Sequence, residues 1–282
     1  MAGCCEYYGG ERSYMGMRIG FCTNMTAKEP GDTGADCIEK CAAVGFEYLE
    51  MPLAEISLLD AGRFGALVRR VEASGLRCEA CNNFFPRGLR LTGPDADMGA
   101  ISEYIKEMLA RAGMLGIDIL VFGSGPAKTV PNDYSVAEAY KQVAEITRIA
   151  AAEAEQYGIT IAVEPLRRAE CNIINSYREA CGLVRDVSLH NVKALVDYYH
   201  LAEESEPPAH IAEDGALLRH AHFARRKGRT YPQNIEEEAT YGPFINALKT
   251  AGYEGRISLE AYTDDFDAEA PRALAFMRRY FA

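Results

Sequence analysis

Short apolar runs alternate with longer stretches that are apolar on one face only, from about residue 17 to the end of the chain. The runs MRIGFC (17–22), EYLEM (47–51), RCEACN (77–82) and DILVFG (118–123) have the length and apolar content of strands. Four more follow: ITIAVE (159–164), VKALVD (192–197), RHAHFA (219–224) and RISLE (256–260). The segments between them read as helices. The clearest covers 135–157. Ser135 and Glu138 form a capping box, and Val136, Tyr140, Val143, Ala150, Ala154 and Tyr157 share a face before Gly158 stops the helix. A last helix is predicted to begin at Pro271, a favoured first-turn residue.

Strands that each feed a helix imply a parallel sheet with helical crossovers. Eight of them predict an α/β protein made of a single (β/α)8 TIM barrel over 17–282, behind a polar extension, MAGCCEYYGGERSYMG, at 1–16. A doubly wound open sheet is the rival. It wants a glycine-rich turn after the first strand, where CTNMTAKEP stands instead.

Composition narrows the function classes. No apolar run approaches the roughly 18 residues a membrane span needs, and the extension lacks the apolar centre of a signal peptide. The net charge of −11, from 41 acidic and 30 basic side chains with no basic stripe, argues against nucleic acid as a partner. Nine cysteines form no disulfide framework. Cys78 and Cys81 make a CxxC, but within a strand they point to opposite faces, which predicts buried thiols in a reducing compartment. The expected location is cytoplasmic.

In a barrel, chemistry gathers at the carboxyl ends of the strands. The last four strand candidates end in Glu164, Asp197, His222 and Glu260, all metal-capable. Parity gives two of them a common direction. In ITIAVE, Ile159, Ile161 and Val163 oppose Thr160, Ala162 and Glu164; in RISLE, Ile257 and Leu259 oppose Arg256, Ser258 and Glu260. The branched set should face the helices and the other set the barrel axis. Three carboxylates and an imidazole favour one fairly hard divalent ion, Mn²⁺ first, with Mg²⁺, Co²⁺ and Zn²⁺ compatible.

The segments VEPLRRAECNIINS, LVDYYHL, HAHFA and SLEAY, with GFEYLEM in the second strand, resemble the xylose-isomerase-like sugar isomerase/epimerase superfamily, nearest the D-tagatose and D-allulose 3-epimerases. The resemblance implies that Glu164, Asp197, His222 and Glu260 hold the metal, and that Glu164 and Glu260 also serve as acid and base on opposite faces of a sugar. It implies substrate contacts for Glu170 and His200, a weaker site-lining match for Glu50, and one substrate-binding arginine after His222, best matched by Arg229. It also brings an expectation of a small-molecule sugar partner and of a homo-oligomer. The implied reaction is proton transfer beside a carbonyl through an enediolate, as in a ketose 3-epimerase or an aldose–ketose isomerase.

Several readings stay open. The basic run Arg225, Arg226, Lys227 and Arg229 either binds an anionic substrate group or is a solvated loop balanced by Glu236, Glu237 and Glu238. In GSGPAKTVP the glycines form an anion nest or only a tight corner, with Lys128 a candidate lining residue. Asn82, Asn83, Phe84 and Phe85 are candidate pocket walls, although the phenylalanines equally suit packing. His220 shares the parity of His222 one layer deeper and reads as a hydrogen-bonded core residue. Other functions to weigh are a keto-sugar or keto-inositol lyase, of the inosose dehydratase or 3-oxo C-glycoside-cleaving type, and a non-catalytic sugar-binding barrel. DNA repair of the endonuclease IV type, on a related barrel, needs more histidines than the five present.

Overall fold

The computed structural model describes residues 16–282; the expected extension falls almost wholly outside them. Eight parallel strands close into a barrel: β1 (Arg18–Cys22), β2 (Tyr48–Pro52), β3 (Cys78–Asn82), β4 (Ile119–Phe122), β5 (Thr160–Val163), β6 (Val192–Asp197), β7 (Leu218–Phe223) and β8 (Arg256–Leu259). Pairing of β1 with both β2 and β8 completes the ring, so the open-sheet alternative is overturned. No helix among the described residues is long and apolar enough to cross a membrane.

The helices are set by local signals. Asp60, Asp97 and Ser176 cap the helices Ala61–Ala73, Met98–Leu115 and Tyr177–Val187, accepting from backbone N–H groups of the first turn. Ser135 caps Val136–Ala154 in the same way. The capping box expected there is only half made, because the Glu138 carboxylate turns outward to Lys141, and Val136 is exposed rather than packed. The last helix is Phe266–Phe281, not one starting at Pro271. Asp265 accepts from Ala268 N–H and starts the helix earlier, leaving Pro271 in the second turn.

Two cores divide the apolar residues as parity predicts. Ile159, Ile161, Val163, Ile257 and Leu259 pack between barrel and helices. Ala80, Ile119, Val121, Ala162 and Leu195 fill the barrel axis. Cys78 and Cys81 are free and fully buried. At the amino end of the strands Glu79 bridges Arg18 (2.6 Å) and Arg256 (2.5 Å), and Arg256 also pairs with Asp118. The opposite end is left for the site.

One glycine is essential to the interior. A Cβ on Gly20 would lie 2.2 Å from the Tyr48 ring, which is fully buried and whose hydroxyl hydrogen-bonds with Ser258 at 2.9 Å. Gly20→Ala is therefore expected to destabilise the fold by about 1–3 kcal/mol through overpacking. Urea unfolding at unchanged m-value would measure it, and an unshifted midpoint would refute it.

Candidate metal centre

Glu164 and Glu260 are the residues just past β5 and β8, while Asp197 ends β6 and His222 lies in β7. All four are buried, and one ligand atom from each can be chosen so that the four lie within 4.8 Å of one another. The sequence thus brings together side chains from four consecutive strands.

Behind them stands Glu50. A bulge-like shift in the β2–β3 register falls between Leu49 and Glu50, and the Glu50 side chain lies wholly inside the barrel. Its Oε1 is 2.9 Å from His222 Nε2, its Oε2 is 2.7 Å from His220 Nε2, and Ser258 Oγ donates to Oε2 at 2.6 Å. Burial pushes the Glu50 carboxyl up, but the two histidines outweigh it and hold it well below the usual range. An ionised carboxylate only accepts, so both imidazoles present Nε2–H to it. Glu50 is thus a brace under His222 and does not line the cavity, in contrast to the site-lining position that the resemblance implied. His220 is the hydrogen-bonded core residue expected.

With Nε2 committed, His222 turns Nδ1 toward the carboxylates. That atom is buried, lies 3.3 Å from Glu164 Oε1 and 2.9 Å from Glu260 Oε2, and makes no hydrogen bond. Charge balance points the same way. Burial pushes Asp197 up to about 7 against the pull of Arg229, and burial likewise raises Glu164 against the pull of the nearby His222. Burial also opposes ionisation of Glu260, but Arg229 and His222 overcome it and hold that group at about 2. Burial disfavours a charged His222, yet Glu50 and Glu260 raise it well above the ordinary value. A buried donor set short of positive charge, with an imidazole nitrogen aimed into it, fits a hard divalent cation. Cys22 also approaches Glu50 and His222, but burial and the carboxylates keep it a neutral thiol.

Arg229 crosses the open side. Its Nη2 is 3.1 Å from Asp197 Oδ2 and 2.5 Å from Glu260 Oε2, and its guanidinium stacks on Tyr199 at 4.7 Å. It sits at φ +51°, a left-handed conformation costly for a residue with a Cβ, held by the hydrogen bond from Tyr262 N–H to its carbonyl. The other basic residues of that loop follow the solvated reading: Arg225 pairs with Glu237 and Arg226 with Glu203.

A cavity of about 360 Å³ opens over the quartet, lined at its base by Glu164, Glu260, Glu170, His200 and Arg229. His200 accepts from Arg167 N–H through Nδ1 at 3.2 Å, while burial and then Arg229 keep it neutral. Its proton is therefore on Nε2, an unpartnered buried donor 3.5 Å from Asp197. Glu170 accepts from Arg167 Nε at 2.6 Å. Lys128 is placed elsewhere than expected. It is fully buried, donates to the Glu164 carbonyl at 3.1 Å and lies over the Phe122 ring, so it holds backbone rather than lining the cavity. Asn82 donates to Glu260 Oε1 at 3.3 Å; Asn83 and Phe85 form walls, while Phe84 is core packing.

Sequence reasoning missed Ser124, Glu55 and Arg87, and read Gly123 only as part of a nest or corner. The positive φ in the GSGP corner belongs to Ser124, not to either glycine, and its Oγ accepts from Phe85 N–H. Gly123 supplies space instead: a Cβ there would lie 2.0 Å from Glu164 Oε2. Gly123→Ala should displace that carboxylate and weaken Mn²⁺ binding by about tenfold, an effect in the range of lost support to a ligand. Metal titration would read it, and wild-type affinity would refute it.

Residues 38–280 match the family described as Xylose isomerase-like TIM barrel. The D-psicose 3-epimerase of Agrobacterium fabrum is 26% identical over 232 residues, 80% of this chain and 78% of that protein. A D-psicose 3-epimerase solved in the presence of D-fructose superposes with a TM-score of 0.82 at 21% identity, covering 94% of this chain and 99% of that one. The 3-keto-D-glucoside 4-epimerase of E. coli gives 0.76 at 19% identity, covering 93% and 99%. These relatives are epimerases, enzymes of the isomerase class, and the structural likeness at such identities concerns the fold. A closed eight-stranded barrel, a buried quartet of metal-capable side chains at its carboxyl end and a family match over most of its length make this chain a member of the xylose isomerase-like TIM barrel family.

Proposed function

We propose that the chain is a metal-dependent sugar epimerase of the ketose 3-epimerase type, working on a carbon beside a carbonyl. The observation that carries this reading is the pair of carboxylates. Glu164 and Glu260 come from β5 and β8, flank His222 Nδ1, and both line one cavity. Such a pair serves inversion: one carboxylate removes the proton from one face, the other returns a proton to the opposite face. Their environments pull them apart, with Glu164 raised and Glu260 held at about 2, as suits a proton donor beside an acceptor.

Glu164, Asp197, His222 and Glu260 would hold the divalent ion, which supplies Lewis-acid stabilisation of developing oxyanion charge. The remaining work falls to protein groups. His200 offers Nε2–H to a substrate oxygen, and Arg229 keeps Glu260 ionised while covering the site. Glu170, which pairs with Arg167 and lines the cavity, would accept from a sugar hydroxyl. The names of the relatives support a ketose as substrate.

Mn²⁺-loaded protein incubated with ketoses in deuterated water should give the epimeric ketose carrying deuterium at the inverted carbon. An unsaturated product with a lost substituent would instead assign the keto-sugar lyase reading. No exchange with any sugar or keto-sugar would leave the non-catalytic barrel.

A further inference from the structure

The cavity over the quartet continues outward. It shares Arg87, Pro126, Glu170 and Arg229 with a groove of about 980 Å³ that also takes in Arg90 and Arg167. The ion pairs of its four arginines separate them into two kinds. Arg229 is committed to Asp197 and Glu260, and Arg167 to Glu170 and Glu203. Arg90 makes only a 3.5 Å contact to the Pro126 carbonyl, and Arg87 has no hydrogen bond or ion pair with any described residue. Both are exposed, on the loop after β3. Glu170, the one carboxylate among the residues lining this groove, is already held by Arg167. Glu55 lines the inner cavity only, where it accepts from Asn83.

The lip of the site therefore carries two guanidinium groups without a carboxylate partner, on a molecule whose net charge is −11. An anion is repelled by most of such a surface and drawn to this part of it. Arginine's fixed fork suits phosphate and carboxylate oxygens, and Arg87 can engage one without breaking an internal pair. In the basic run after β7, Arg225, Arg226 and Arg229 are already paired, and Lys227 lines a different cavity rather than this groove.

We propose that the substrate carries an anionic group, phosphate or carboxylate, at the end remote from the metal quartet, and that Arg87 and Arg90 recognise it. The inference rests on the epimerase reading for the inner cavity, but its test does not need turnover. Calorimetric titration of Mn²⁺-loaded protein with ribitol, ribitol 5-phosphate and ribonate compares neutral, phosphorylated and carboxylate-bearing probes of equal chain length. At least one anionic probe should bind about tenfold more tightly than ribitol, the advantage shrinking with added salt. In the Arg87→Ala/Arg90→Ala double variant the preference should fall to about onefold. A preference for ribitol 5-phosphate alone identifies a sugar phosphate, and for ribonate alone a sugar acid.

Equal affinities in the wild type, no binding of any probe, or a preference that survives in the double variant would each overturn the inference. Deuterium exchange into neutral ketoses without anion preference removes this inference and leaves the epimerase reading. Anion preference without exchange on any sugar does the reverse.

Discussion

Glutamine at Glu164 or at Glu260 is expected to slow interconversion of the two epimers by about 10²–10⁴-fold, measured at saturating Mn²⁺ so that weaker metal binding does not enter. The two variants should differ in what survives. If each carboxylate serves one face, Glu164→Gln leaves Glu260 able to remove and return a proton on its own face only. That variant should wash deuterium into one epimer without converting it to the other, and Glu260→Gln should do so with the opposite epimer. A structural role for either carboxylate predicts no such crossing. Survival of interconversion, or residual exchange with the same epimer in both variants, would sink the two-face assignment. The prediction follows from position: the carboxylates approach one imidazole nitrogen from strands that are not neighbours, at 3.3 and 2.9 Å.

The second large effect is expected at a residue that does not line the cavity. Glu50→Gln replaces an acceptor of two imidazole N–H groups by an amide with one acceptor oxygen. If the amide nitrogen faces His222, that ring must give up its Nε2 proton and carry it on Nδ1, the nitrogen aimed at Glu164 and Glu260. If it faces His220, the cost falls on the deeper ring. Averaged over these arrangements, Mn²⁺ affinity should drop by about 10–100-fold, the usual consequence of losing a carboxylate behind a histidine ligand. Ser258→Ala removes a contact to the same carboxylate but leaves the contacts of both histidines to Glu50, so its loss should be smaller. Chelator competition measures both. Wild-type affinity in Glu50→Gln protein would contradict the brace. Nitrogen-15 spectra of histidine in the Mg²⁺-loaded wild type give an independent check, since His222 must be protonated at Nε2.

The legible parts of the molecule are those controlled by period. Strand positions and the two faces of β5 and β8 follow from alternation, which is why Glu164, Ser258 and Glu260 fall on one side and Ile161, Ile257 and Leu259 on the other. Glu50 and Lys128 were harder to place. A carboxylate at a strand end looks the same in sequence whether it meets substrate or the back of a ligand. Its burial against His220 and His222 depends on closure of the barrel, which brings β2 across from β7 and which no local pattern announces. Lys128 is drawn inward by a backbone carbonyl, and carbonyls leave no trace in side-chain spacing. Arg87 is hidden for the converse reason. Its importance lies in having no described carboxylate partner, which only the three-dimensional inventory of ion pairs reveals.

The quartet belongs wholly to β5 through β8, while its supports come from β2, β3 and the segment after β4: Glu50 beneath His222, Asn82 beside Glu260, and Gly123 clearing space for Glu164. The second half thus carries all four metal-capable side chains, with Arg229 and Ser258 as its own supports, while the first half adds three supports and none of the four. Duplication or exchange of the second half alone would transfer every donor atom but not the preorganisation that gives them affinity. Metal selectivity should therefore also respond to substitutions in the half that contributes none of the four side chains.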